Sequence, residues 1–137
     1  MVMCNIDRLA KCVEEKGMLI NAPRALLSVH TRSKGDGTPH IEIVGSNLFY
    51  VSCERGYEIF RKQVFDENEL LYLIFRDIAW KMASDFELKN RVVNRDSRRL
   101  IFSKKLELLE KICPEWKARE EEEIKKILLN APYIDVD

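Results

Sequence analysis

Asp66 to Arg91, DENELLYLIFRDIAWKMASDFELKNR, is the stretch that most restricts what this chain can fold into. Asp66 is a favourable N-cap, and Glu69 stands three residues on, the spacing of a capping box. Apolar residues recur at every fourth position in Leu70, Ile74, Ile78, Met82 and Phe86, and Leu71, Phe75, Ala79 and Ala83 form a second row beside them. On a 3.6-residue period the two rows span about half the circumference. The spacing predicts one central helix, about 35 Å long, with a wide apolar face. Trp80 falls on the polar side, near Arg76, Ser84 and Glu87. Two readings are open for it. Another helix covers it, because Trp is seldom left in water, or it is a partner-facing anchor, because Trp is enriched at binding hot spots.

The flanking sequence sets what surrounds this helix. Asn5 or Asp7 can cap a first helix with Ile6, Leu9, Ala10 and Val13 inward, ending at Gly17 as its C′ residue. Asn21-Ala22-Pro23 is a break. Four short runs rich in Val, Ile, Phe and Tyr then follow: Leu26 to Thr31, Ile41 to Val44, Leu48 to Glu54 and Glu58 to Val64. Turn sequences separate them at Ser33–Thr38, Gly45–Asn47 and Arg55–Gly56, which predicts a four-stranded antiparallel meander. In the third run Phe49, Val51 and Cys53 share one face and Tyr50, Ser52 and Glu54 the other. After the central helix, Val92–Asn94 is a connector. Asp96 or Asn94 caps a helix to about Ile112, with Ile101, Phe102, Leu106, Leu108, Leu109 and Ile112 as its apolar positions. Pro114 stops that helix and opens the next, where its missing N–H does no harm. This last helix runs to about Asn130, with Trp116, Ile124, Ile127 and Leu128 inward, and an extended tail follows to Asp137. The expectation is a single α+β domain over residues 1–137: an N-terminal helix, four strands, then three helices packed on one face of the sheet.

Charge narrows the function classes. The 23 basic and 23 acidic side chains cancel, which argues against bulk attraction to nucleic acid or to a membrane. The imbalance is local: residues 114–137 carry four basic and seven acidic groups. No apolar run approaches the roughly 20 residues of a membrane span, and no leader segment is read at the start. Cys4, Cys12, Cys53 and Cys113 are scattered without metal-site spacing, so reduced thiols in a cytoplasm are expected.

Chemistry-bearing patterns are few. His30 and His40 lie on strands expected to be adjacent, with Cys53 near in the meander, so a Cys/His enzyme or a metal site is one reading. The other is a small core cysteine in an alternating strand, without metal or cofactor. Phosphate-binding glycine loops and hydrolase signatures do not occur in the sequence. Arg95, Arg98 and Arg99 gather at a helix start, where the dipole disfavours cations, so they are read as an internal ion-pair network with carboxylates such as Glu54, Glu58 or Glu87, the rivals being an external carboxylate or a phosphate contact. Glu87 and Arg91 have the i,i+4 spacing of a helical ion pair. Glu120, Glu121, Glu122 and Glu123 form either a solvated face or an acidic patch for a basic partner.

A series of landmarks carries a family resemblance. Cys53-Glu54-Arg55-Gly56 ends a strand, Leu71-Tyr72 opens the central helix, and Trp80 with Glu87-Leu88-Lys89-Asn90-Arg91 closes it. Asp96-Ser97-Arg98-Arg99 with Phe102 follows, and Pro132-Tyr133 with Asp135 ends the series. Their order and spacing, from about residue 48 to 135, resemble the immunity protein 63 family of bacterial polymorphic toxin systems. The resemblance implies a non-enzymatic cytoplasmic protein that binds the C-terminal toxic domain of a secreted effector and blocks it. Because many such toxins are basic, Glu120 to Glu123 would steer and Trp116 or Trp80 would anchor the contact. Glu54, Arg55, Glu87, Arg91, Asp96 and Arg99 are read as a structural polar network. A monomer or weak homodimer is expected, the latter through exposed aromatics such as Tyr50 or Tyr57. A protein-interaction domain outside toxin systems is the rival binding function.

Overall fold

The computed structural model describes residues 5–136, which leaves Cys4 and Asp137 outside the described residues. Two compact units emerge: one holds the chain up to Met18 together with Pro23–Leu73, the other Leu19–Ala22 and the chain from Ile74 onward. Among the described residues the fold is α+β, with four α-helices and a three-stranded antiparallel sheet.

In the first unit, helix α1 spans Ile6–Met18 and starts where Asn5 Oδ1 accepts the N–H of Arg8 at 3.1 Å. Gly17 does not terminate α1. It lies inside the last turn, buried, and a Cβ there would stand 2.5 Å from Leu27 Cδ2. Its lack of a side chain lets Leu27 close over the helix. This contact also explains why the first predicted strand is missing. Pro23 initiates a 3-10 turn at Arg24–Leu27, in which Leu26 N–H bonds to the Pro23 carbonyl at 2.9 Å, and Leu27 is buried against Gly17. Burial there overrides the strand preference of Leu26–Thr31. Beyond the turn, one bond from Ile41 N–H to the His30 carbonyl and an isolated bridge between Asp36 and Glu54 replace a strand ladder.

The sheet therefore has strands β1 (His40–Val44), β2 (Asn47–Glu54) and β3 (Tyr57–Val64), in that order. Arg55 and Gly56, at φ +51° and +82°, form the β2–β3 turn in the mirror-image geometry that matches strand twist. A bulge opposite Ser52 and Cys53 leaves Ile59 unmatched, and Arg61 and Lys62 sit on the same strand, so the β3 edge is kinked and charged. Along β2, Tyr50 and Ser52 are buried on one face and Val51 on the other. Tyr50 stacks obliquely on Phe60, centroids 5.9 Å apart, so it is not the exposed aromatic expected, whereas Tyr57 is exposed.

Helix α2 spans Glu67–Lys89, beginning in the first unit and continuing through the second. Asp66 Oδ1 caps it by accepting the Glu69 N–H at 2.7 Å. Leu70, Leu71, Phe75, Ile78, Ala79 and Ala83 are buried, as their spacing requires. Helix α3 is Ser97–Ile112 and α4 is Pro114–Asn130, with Pro114 in the first turn. Ala83, Ile101, Phe102 and Ile124 form a core cluster joined by Leu106, Leu128 and Tyr133. Ile127, expected inward, is 44 % exposed: it lies three residues past Ile124 and one before Leu128, at the margin of the apolar stripe.

Candidate functional site

Trp80 and Trp116 separate in the second unit. Trp116 is buried in the first turn of α4 and stacks on Phe75, centroids 6.0 Å apart. Trp80 is 43 % exposed on α2. The Lys105 ammonium of α3 lies 5.6 Å from the Trp80 ring centroid and donates to Glu120 Oε1 of α4 at 2.8 Å. Lys105 and Glu120 are both buried, so the indole rests on a cation whose own partner is fixed. Glu120 thus faces inward. Glu121, Glu122 and Glu123 remain toward the surface, paired respectively with Lys117 at 4.0 Å, Lys125 at 3.1 Å and Lys126 at 3.4 Å. The sequence missed Lys105, and no local signal marks it. Only its position on the α3 face shared with Ile101, Leu108 and Leu109 places it inward.

A second concentration of polar groups forms at the α2–α3 corner. The buried Glu87 carboxylate accepts from Arg91 Nη2 at 3.0 Å and Nε at 3.2 Å, the bidentate geometry that raises the Arg91 pKa. Asp96 caps α3 through the Arg98 N–H at 2.9 Å and pairs with the Arg98 guanidinium at 2.9 Å. The guanidinium first, then the Ile134 and Arg98 N–H groups, hold the Asp96 carboxyl far below the usual carboxylate range. Asp135 accepts from Arg99 Nη2 at 2.8 Å, from the Asp96 N–H at 2.8 Å and from Arg95 Nη1 at 3.3 Å. Arg99 chiefly lowers its pKa, to about 2. The arginines at this helix start thus have carboxylate partners that offset their unfavourable dipole position, but these are Asp96 and Asp135; of the expected partners, Glu58 pairs with Arg61 and Glu87 with Arg91.

The tail is bound over residues 131–136. Arg98 donates from Nη1 to the Ala131 carbonyl at 2.8 Å and from Nη2 to the Pro132 carbonyl at 2.9 Å. The Arg99 guanidinium lies 4.2 Å from the Tyr133 ring centroid, and Phe102 packs on the same ring at 6.3 Å. Ile134 N–H reaches Asp96 Oδ2 and Val136 N–H the Asn94 carbonyl, each at 2.9 Å. An open cleft of about 560 Å³ adjoins this corner, lined by Glu87, Val92, Arg95, Asp96, Ser97, Arg99, Leu100 and Ser103. Of the expected polar network, Glu87, Arg91, Asp96 and Arg99 gather here. Glu54 and Arg55 belong to the β2–β3 turn, where both are exposed.

His40 is buried on β1, and its Nε2 hydrogen-bonds Glu42 Oε2 at 2.7 Å. Arg61 Nη2 also donates to Glu42, at 3.1 Å. The His40 and Arg61 hydrogen bonds, in that order, lower the Glu42 pKa. Cys53 is half-buried on β2. Among the described residues no group of three or more His, Cys, Asp or Glu side chains is placed to hold a metal. None of their helices is long and apolar enough to cross a membrane.

A family model described as Immunity protein 63 matches residues 45–126. Neither a curated protein nor a solved structure gives a match. The matched segment starts at the β1–β2 turn and runs through most of α4, taking in Trp80, Lys105, Glu120 and the α2–α3 corner. The tail that docks on that corner lies beyond it. With more than half of its length covered, this chain belongs to the immunity protein 63 family.

Proposed function

We propose that this protein binds the C-terminal toxic domain of a bacterial polymorphic toxin and neutralises it by covering its active site, in the cytoplasm of the producing cell and its siblings. It acts through surface complementarity and performs no reaction on a substrate of its own. The observation that carries the choice of surface is Trp80: a large, half-exposed indole held over the buried Lys105–Glu120 pair. A preorganised aromatic loses little freedom on binding, which is what a hot-spot anchor requires. Glu121, Glu122 and Glu123 supply the charged rim toward a basic toxin, while Glu120 acts from beneath through Lys105 and Trp116 is buried against Phe75.

Co-expression with the toxin domain encoded next to it tests the reading. The unaltered chain is expected to restore growth and to co-purify with the toxin. Trp80→Ala is expected to weaken the complex about 30-fold or more, as loss of a Trp hot spot does. Growth arrest despite a folded, well-expressed chain would remove the neutralising function. Unchanged affinity of Trp80→Ala would move the interface elsewhere.

A further inference from the structure

The corner formed by residues Asn94–Phe102 treats the chain's own tail as a peptide ligand. Its contacts with residues 131–136 combine backbone pairing, an aromatic ring and a carboxylate fork. Backbone pairing fixes an extended conformation, and side-chain sites then read identity, the division of labour by which extended peptides are recognised. Here the identity is Tyr133-Ile134-Asp135: the ring lies against Arg99 and Phe102, and the carboxylate is gripped by Arg99, Arg95 and the Asp96 N–H.

The grip leaves material unused. Among the described residues Asp135 engages Arg95 through Nη1, and Arg95, an exposed side chain, lines the cleft together with Ser97 and Ser103. Val92 is exposed in its lining, Leu88 and Val93 are exposed next to lining residues in the chain, and the volume of about 560 Å³ is in the range of ligand-binding sites. Arginines beside bare apolar residues match the composition of interface cores.

We infer that the α2–α3 corner is a recognition cleft for an extended, acidic segment of a partner protein, of the form aromatic-x-Asp, and that residues 131–136 occupy its carboxylate fork in cis. A partner segment of this chemistry displaces Asp135 and extends into the neighbouring cleft. This does not depend on which protein meets Trp80.

The test uses a fluorescently labelled peptide of residues 131–136, capped at both ends, titrated by anisotropy. With the chain truncated after Asn130, saturable binding is expected. It should weaken at least tenfold for a peptide with Asp135→Asn, and at least tenfold for the full chain, whose own tail competes. A truncated chain that keeps its circular dichroism yet shows no saturable binding overturns the inference. So does equal binding of the Asn peptide. If truncation unfolds the chain, the full-length variant with Tyr133→Ser and Asp135→Asn, whose tail lacks both recognised side chains, replaces it in the same titration, and absence of binding there is equally decisive. Sedimentation separates the remaining occupant: a dimer abolished by truncation would assign the fork to a second copy's tail and overturn the partner-protein reading.

Discussion

Lys105 of α3 and Glu120 of α4 form an ion pair 2.8 Å long with both side chains buried. Removing one member leaves the other charge uncompensated away from water, so Glu120→Ala is expected to cost about 3–5 kcal/mol. Replacing both, as Lys105→Met with Glu120→Leu, is expected to recover most of that loss, because the desolvation cost disappears with the charges. Urea denaturation of the single and double variants checks the pair. Equal destabilisation by both would show that packing, not charge, dominates.

The two tryptophans should respond oppositely to truncation. Trp116→Ala empties a buried site against Phe75 and is expected to cost about 3–5 kcal/mol. Trp80→Ala is expected to stay within about 1 kcal/mol of the parent chain, its effect appearing in partner binding instead. Thermal melts beside binding titrations measure both readouts on the same preparations.

Gly17 is a close-approach glycine. Gly17→Val would set its branches into Leu27, whose side chain already lies 2.5–3.2 Å from the position of a Cβ. The expected loss is about 1–3 kcal/mol, the usual cost of overpacking. Gly17→Val combined with Leu27→Ala should regain part of it, and denaturation of the pair tests the coupling.

Docking of the tail should depend on acid. Asp135 has a folded-state pKa of about 2 against an ordinary 3.8, so its contribution is present above about pH 4 and is lost as pH falls toward 2. Protection of the Ile134 and Val136 amides against exchange, relative to the intrinsic rate at each pH, should fall over that window, and Asp135→Asn should show the low protection at neutral pH. High salt should have the same direction of effect, because Arg95 and Arg99 are partly exposed.

Charge reversal on α4 tests steering. Changing Glu121, Glu122 and Glu123 to Lys is expected to slow association with a basic toxin domain about tenfold at low salt, with less effect on dissociation. Stopped-flow mixing at two ionic strengths measures it. An unchanged association rate would take these residues out of the interface.

Local rules made much of this architecture legible. The four-residue apolar spacing, with Asp66 and Asp96 as caps and Pro114 in a first turn, marks α2, α3 and α4. Arg55-Gly56 between two β-rich runs marks the β2–β3 hairpin, and the landmark residues mark the family. All of these signals act over a few residues, where backbone sterics and side-chain period decide. The tertiary structure alone decided the rest. Leu27 closes on Gly17 instead of entering a strand, Glu120 meets Lys105 from 15 residues away, and Asp135 meets Arg99 from 36 residues away. Neither helix periodicity nor turn chemistry encodes those meetings, because the free energy of burying a charge or a close contact depends on which distant group arrives opposite it.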